Sequence, residues 1–355
     1  MMKKRVLFMP DGSKENPYQK LLKEALIKKK VKVEIKNGSG IFKIINEVKR
    51  FKPKILHLHW IHNYTISFRK NFCFSLIKSF LFLIQIFYLK FKKIKIVWTV
   101  HNLLNHEKIH IPLEYIVNFI AIRFMDAFIL HSKKGKEIFI KKYKIPFKKI
   151  SKIYVIPHGN YINFYKNEVS KEEARKKFNL KEEFIILYLG SLRKYKGIIE
   201  LIDCFKEIRK KNFKLIIGGK PYSEIEKREI EEKIKGINEI LFFPFFIKDE
   251  EIQFFYNASD VVVFPFKEIF TSGSLICAMG FKKALILPEF DYLLEEAPSF
   301  NFFYSPFEPH ALKKAIERAY SEKDKLEEIG RKNFLWIKKR CWDNIADAHL
   351  KIYNI

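Results

Sequence analysis

Cysteine is scarce. Four residues, Cys73, Cys204, Cys277 and Cys341, lie far apart in a chain of 355, with no C-x-x-C pair. That excludes a dense disulfide framework and a recognisable zinc site, and it suits a reducing compartment. Acidic residues are scarce in the first half: residues 1–160 hold 9 Asp/Glu against 34 Lys/Arg, an excess of 25. The remaining 195 residues are nearly balanced, so almost all of the net +28 sits in the first half. A long uncharged apolar run is also missing. The greasiest stretch, Phe72 to Phe91, is broken by Lys78 and Gln85, and its uninterrupted core is only Phe80 to Ile84. A spanning helix wants about 20 nearly uncharged apolar residues.

What is present is enough to build cores. Hydrophobic residues make up 48% of the chain, which excludes disordered and collagen-like classes, and the length suggests about two domains. The basic opening Met1-Met2-Lys3-Lys4-Arg5 is like the start of a signal peptide. However, Val6-Leu7-Phe8-Met9 is stopped at once by Pro10-Asp11-Gly12, which predicts a buried strand and a turn. A basic half implies a polyanionic partner: anionic lipid, nucleic acid or a phosphorylated carrier. No zinc finger, RRM-type aromatic signature or recognition helix is evident, so nucleic acid is not expected. The Phe-rich stretch 72–91 has Arg69-Lys70 before it and Lys90, Lys92, Lys93 and Lys95 around its end. That pattern predicts an interfacial helix on an anionic membrane surface, with an ordinary buried helix as the alternative.

Short runs rich in Val, Ile and Leu alternate with helix-length segments. Strands are expected at Val6–Met9, Val31–Ile35, Ile55–His59, Ile94–Val100, Ala127–Leu130 and Ile153–Ile156, then at Phe184–Leu189, Phe213–Ile217, Ile240–Phe243, Val261–Phe264 and Ala284–Leu287. None alternates strictly, as expected of parallel strands buried on both faces. The fold class is therefore α/β, with two Rossmann-like parallel-sheet domains facing across a cleft. The expected division is residues 1–164 and 165–330, followed by a terminal segment 331–355. Ligands in such sheets sit at the carboxyl ends of strands, where nearly every unusual residue of this chain falls.

Gly190-Ser191-Leu192-Arg193-Lys194-Tyr195-Lys196-Gly197 follows one strand and opens a helix. Gly190 permits a tight turn, while Arg193 and Lys196 place two cations beside a helix N-terminus, a setting suited to a diphosphate. Lys267 to Ser274 follows another strand. There Thr271, Ser272, Gly273 and Ser274 lead into an apolar helix and predict a second anion cradle; simple helix capping is the alternative. Glu268, just before it, is a candidate acceptor for sugar hydroxyls. In the first half, His57, His59 and His101 lie at strand ends, with His57 and His59 on one face. Carboxylate or cysteine companions at metal-ligand spacing are missing, so no metal is expected. His101 is a candidate acid/base or donor to a substrate oxygen, and Asp11, in the first strand-to-helix loop, a conceivable base.

Taken together, HLHW at 57–60, TVHN at 99–102, IPHG at 156–159, GSLRKYKG at 190–197, ASDVVVFPF at 258–266 and KEIFTSGS at 267–274 resemble the GT-B nucleotide-sugar glycosyltransferases, particularly family 4 and its bacterial polysaccharide relatives. The resemblance implies a hexosyltransferase that uses a nucleoside diphosphate sugar, requires no further cofactor and acts on a glycan or lipid-linked saccharide. It implies cytoplasmic placement, peripheral to the inner face of the membrane, and a C-terminal helix in 331–355 that crosses back to the first domain. It also assigns Arg193 and Lys196 to the donor diphosphate, the 271–274 run to the same group, His101 to the transferred sugar, Pro244–Ile247 to the base, and Glu268 to the first position of the EX7E motif. The second position of that motif is Ile276, and the usual arginine directly after the glycine is Ser191. A GT-B nucleotide-sugar epimerase and a non-enzymatic membrane-peripheral protein are the alternatives. Retention or inversion of the anomeric centre stays open.

Overall fold

A computed structural model of the chain describes residues 4–14, 16–208 and 212–354; the first three residues of the basic opening lie outside them. The described chain forms two compact units. The first comprises residues 1–159 and 340–355, the second residues 160–339.

The first unit holds a parallel six-stranded sheet: β1 (Arg5–Met9), β2 (Lys32–Ile35), β3 (Ile55–Leu58), β4 (Lys95–Thr99), β5 (Ala127–Leu130) and β6 (Ile153–Val155), in the order β2-β1-β3-β4-β5-β6. The second holds another: β7 (Phe184–Leu189), β8 (Phe213–Gly218), β9 (Ile240–Phe243), β10 (Val261–Val263), β11 (Ala284–Pro288) and β12 (Phe302–Tyr304), in the order β12-β11-β10-β7-β8-β9. Central strands such as β3 and β7 are buried along their whole length. Helices covering both faces of a parallel sheet demand continuous apolar runs, and these sequences supply them. Every expected strand is found within one or two residues. The edge strand β12 was not expected: three residues are too few to show a period, and only Phe302 is buried.

The boundaries differ from the expected ones. The second unit begins at Asn160 rather than 165, because Gly159 is held in the first unit, where a Cβ would sit 2.6 Å from the Trp342 ring. Asn160 instead donates from Nδ2 to the Ile337 carbonyl at 3.2 Å. The chain returns to the first unit at Arg340 rather than 331. Helix Leu326–Lys338 belongs to the second unit: Asn333 and Asn301 exchange side-chain hydrogen bonds at 2.9 and 2.8 Å, and a Cβ on Gly330 would lie 1.9 Å from the Lys282 carbonyl oxygen. The last helix, Trp342–Asn354, buries Ile345, Ala346, Ile352 and Tyr353 in the core around β1.

Helix Phe72–Phe91 is inverted relative to a soluble protein's helix. Only six of its 20 residues are buried, and three of those six are Ser75, Ser79 and Gln85. Each polar group inside has a partner. Ser75 Oγ accepts from the Ser67 amide, Ser79 Oγ donates to the Thr65 carbonyl, and Gln85 Oε1 accepts from the Ile44 and Ile45 amides. Gln85 thereby caps the neighbouring helix Lys43–Phe51, satisfying N–H groups that a helix start leaves over. Phe72, Phe74, Ile77, Phe80, Phe87 and Phe91 face outward, each more than half exposed.

Candidate functional site: a paired anion cradle and a histidine cluster

In the second unit, the loop after β7 and the loop after β10 come together. Gly197 takes φ +75°, and a Cβ there would lie 1.9 Å from the Pro265 carbonyl oxygen. A Cβ on Gly190 would meet Ser274 Oγ at 3.0 Å. The glycines at the two ends of GSLRKYKG therefore let its backbone touch both ends of the segment 265–274. Gly197→Ala is expected to destabilise the second unit by about 1–3 kcal/mol, because left-handed backbone and steric conflict coincide. Urea unfolding followed by a probe in residues 160–339 checks this.

Lys196 lies in a single 3-10 turn, Lys194–Lys196, and is only 7% exposed. Its ammonium stands 4.4 Å from the Phe266 ring centroid and 5.2 Å from that of Tyr195. Burial, with the neighbouring Arg193 charge, pulls its pKa down to about 7. The Arg193 guanidinium stacks on Tyr222 at 4.8 Å. Helix Gly273–Gly280 starts beside this loop. Ser272 is its N-cap and is consumed by that role: Oγ accepts from the Leu275 amide at 3.2 Å, and its own amide donates to Tyr292 Oη at 3.2 Å. The Ser272 hydroxyl therefore does the capping that was the alternative reading. The Gly273 and Ser274 amides, at the first two helical positions, have no acceptor within the helix. A Cβ on Gly273 would lie 3.1 Å from Tyr161 Oη, so Tyr161 also borders the cradle. Two cations, a helix start and close-packed glycines are the chemistry that suits a polyanion of diphosphate size.

Other expected residues fall differently. Glu268 is exposed and Thr271 half-buried in the loop before the helix, while Ile276 is fully buried within it. Ile247, expected among the base contacts, is 7% exposed and packed inward. The exposed groups after β9 are Phe245 and Phe246, 49% and 55% accessible. They offer flat apolar surface where Ile247 does not, and the Pro-Phe-Phe run that follows the strand was the available signal.

In the first unit, six of the ten histidines gather under the carboxyl ends of β3–β6: His57, His59, His101, His131, His158 and His349. None is more than 4% exposed. Tyr18 lies among them, its ring centroid 4.9–5.9 Å from those of His59, His101, His131 and His158. His57 joins Tyr353 Oη (2.6 Å) to Thr99 Oγ1 (2.7 Å). His131, His101 and His59 form a chain whose polarity can be worked out. His131 Nδ1 lies 2.9 Å from the Ile156 carbonyl oxygen, which can only accept. His131 therefore carries its proton on Nδ1, and its Nε2 accepts from His101 Nδ1 at 3.4 Å. His101 Nε2 then accepts from His59 Nδ1 at 3.0 Å. The chain ends at His59 Nε2, a buried nitrogen with no hydrogen-bond partner. Burial holds all six well below the ordinary histidine range: His131 and His349 at about 4, His158 at about 3.

Both ring nitrogens of His101 are thus engaged by other histidines, and Trp60 stacks on its ring at 4.5 Å. The ring is held as part of a neutral network rather than presented alone at a strand end. Asp11 is likewise engaged: Oδ1 accepts from the Ser13 amide and hydroxyl at 2.9 and 2.5 Å, closing the first loop. Among the described residues, no three His, Cys, Asp or Glu side chains are arranged to hold a metal ion. His131 and Tyr18 were not singled out from sequence. The signal was present nonetheless, as a histidine one to three residues after the end of each of β3, β4, β5 and β6.

Two parallel six-stranded sheets, one in each unit, define the GT-B fold class. Sucrose-phosphate synthase from Thermosynechococcus elongatus superposes over 99% of this chain and 98% of its own, with a TM-score of 0.79 at 16% identity. The Anabaena protein Alr3699/HepE in complex with UDP-glucose superposes over 99% and 100%, with a TM-score of 0.76 at 15% identity. Residues 170–336, which lie within the second unit, match the model of the family glycosyl transferases group 1. Lipopolysaccharide 1,2-N-acetylglucosaminetransferase of Salmonella typhimurium (strain LT2) is 24% identical across 55% of this chain and 54% of its own. The chain thus spans about half the length of that relative.

Proposed function

We propose that the protein transfers a hexosyl group from a nucleoside diphosphate sugar to a glycan or lipid-linked saccharide at a membrane surface. The observation that carries this reading is the convergence of Gly190, Arg193 and Lys196 with the Gly273–Ser274 helix start. As the glycosidic bond to the donor breaks, negative charge grows on the departing diphosphate. Fixed cations and amides aimed at that charge lower the barrier without reorganising, and such preorganisation is usually the largest catalytic term. Glu268 and Thr271 are assigned to the sugar hydroxyls, and Phe245 and Phe246 to the base. The neutral histidine network is assigned to shaping the acceptor end of the first unit. The relative acting on lipopolysaccharide supports an acceptor of the same broad kind.

The test is a screen of UDP-, GDP- and dTDP-sugars for thermal stabilisation, followed by product analysis with and without lipid-linked saccharides. A true donor at 100 times its Kd raises stability by about 2.7 kcal/mol. Conversion of the sugar without any acceptor would favour an epimerase instead.

The inverted helix Phe72–Phe91 supports the membrane part of the proposal. Six apolar side chains of one helix are each more than half exposed, a setting that suits contact with lipid, and the basic flanks suit anionic headgroups. Ile77→Glu with Phe80→Glu is expected to cut binding to anionic vesicles at least tenfold in a co-sedimentation assay, leaving donor stabilisation unchanged.

A further inference from the structure

The outward face of helix Phe72–Phe91 is not uniform. Near its C-terminal end it packs against helix Ile111–Phe124, and a groove of about 520 Å³ runs between them. Leu83, Ile84, Phe87 and Phe91 form one wall, Ile120 and Phe124 the other. The rings of Phe87 and Phe124 meet edge to face at 5.8 Å between the two walls. The groove is nearly devoid of polar lining and is open to the outside.

One end of the groove is strongly cationic. Lys92 stands 5.7 Å from the Tyr88 ring and 5.8 Å from that of Phe91, at the groove's edge. Lys93 follows it, and Arg123 lies over Phe119 on the opposite helix. Lys149 reaches in to donate to the carbonyls of Ile122, Arg123 and Met125 at 2.6–2.9 Å. Asp126, the acidic residue beside this end, is spent: Oδ1 pairs with Lys90 at 2.6 Å and Oδ2 accepts from the Ile96 amide at 2.8 Å. An apolar trough that ends in unneutralised cations is complementary to an amphiphile with an anionic head.

Position identifies which amphiphile. Asp126 and Ile96 mark the amino ends of β5 and β4, whereas His101 and His131 mark the carboxyl ends. A five-residue strand spans roughly 16 Å. The cationic end of the groove is therefore separated from the reacting end of the sheet by the sheet's own height, and a lipid-linked acceptor seated there would hold its sugar away from the histidine cluster. We propose that the groove binds one hydrocarbon chain of an anionic membrane phospholipid, with its headgroup phosphate at Lys92, Lys93 and Arg123. The lipid acts as an anchor that fixes how the first unit rests on the bilayer. The proposal does not depend on the transfer reaction, because it concerns a different end of the sheet and is read by lipid binding alone.

The test uses the full chain and two soluble probes below their micelle concentrations: 14:0 lysophosphatidylglycerol and 14:0 lysophosphatidylcholine, titrated and followed by native mass spectrometry. The wild-type protein is expected to bind the anionic lipid at least tenfold more tightly. Ile120→Trp, which fills the groove, is expected to lower that affinity at least tenfold, and Lys92→Glu with Lys93→Glu to abolish the preference for the anionic head. Ile77→Glu, on the open face, is expected to leave monomeric lipid binding unchanged although it weakens vesicle binding. Equal affinity for the two lipids, or undiminished binding by folded Ile120→Trp, would overturn the proposal. Tighter binding of farnesyl phosphate than of lysophosphatidylglycerol would do so too, since it would mark an isoprenoid carrier as the occupant. The charge-reversed pair, both residues being exposed, keeps the test decisive if Ile120→Trp fails to fold.

Discussion

At pH 5 the first unit is expected to unfold while the second keeps its structure. The cause is the burial of six histidines that stay neutral in the folded state. Released into water, each regains an ordinary pKa near 6.5. The unfolded chain then binds more protons than the folded one, so stability rises with pH and is lost as pH falls below 6.5. At pH 5 the gap is about 1.5 units, or about 2 kcal/mol per histidine. Six such terms add to about 12 kcal/mol, comparable to the whole stability of a domain at about 5–15 kcal/mol. The second unit contains a single histidine, His310, 62% exposed at its side chain and outside this cluster. Hydrogen exchange resolved by peptide between pH 7.5 and 5 would show protection lost around β1, β3 and β4 and kept around β7 and β8. Parallel loss in both units would contradict the explanation. The terminal helix carries His349 and Tyr353 into the cluster, so it is expected to open together with the strands.

Donor binding should weaken about tenfold per pH unit above pH 7, through Lys196. In the free protein burial, with Arg193 beside it, brings this ammonium down to about 7. A bound diphosphate restores a counter-charge and raises the pKa again, so binding takes up a proton whenever the pH exceeds 7. The sign follows: affinity is full below pH 7 and falls as pH rises, until the pKa of the bound state is reached. Lys196→Met is expected to lose at least tenfold in affinity and to flatten the profile, since a charge-assisted hydrogen bond is worth about 1.5–3 kcal/mol. Lys196→Arg keeps the charge and should flatten the profile without the same loss, provided the fork fits between Phe266 and Tyr195. Calorimetry in buffers of different ionisation enthalpy reads the proton directly. An unchanged profile in Lys196→Met would remove the lysine from the site.

Much of the fold is legible in the sequence because parallel strands buried on both faces leave unbroken apolar runs, as in Phe184–Leu189. The loop proposed as the donor cradle was legible for a related reason: glycine is the residue that lets a backbone pack where a Cβ would lie 1.9 Å from a neighbouring carbonyl oxygen, and Gly197 sits at the end of a cationic loop. Roles that depend on three-dimensional pairing were not. Ser272 and Ser274 look alike in the TSGS run, but only the geometry shows that Ser272 is spent on the Leu275 amide. Ile247 and Phe246 are neighbours in the chain, and only packing shows which of them is turned inward. His101 looked like an isolated strand-end histidine because its partners, His59 and His131, lie 42 and 30 residues away. The unit boundaries slipped because the helix Leu326–Lys338 is amphipathic wherever it packs, and the residue that decides its side is Gly330 against Lys282.

The chain's charge follows the same division. The first half, with 25 of the excess positive charges, carries the inverted helix and the groove proposed for lipid, while the nearly neutral second half carries the proposed anion cradle, with two placed cations rather than a general excess. The measurement that bears most directly on the central assignment is titration of nucleoside diphosphate sugars into the wild-type protein and into Arg193→Ala. The expected result is that at least one such sugar binds the wild type, with affinity at least tenfold lower in Arg193→Ala and an unchanged melting temperature in the absence of ligand. Equal affinity in the two proteins, or no binding of any nucleoside diphosphate sugar to the wild type, would contradict it.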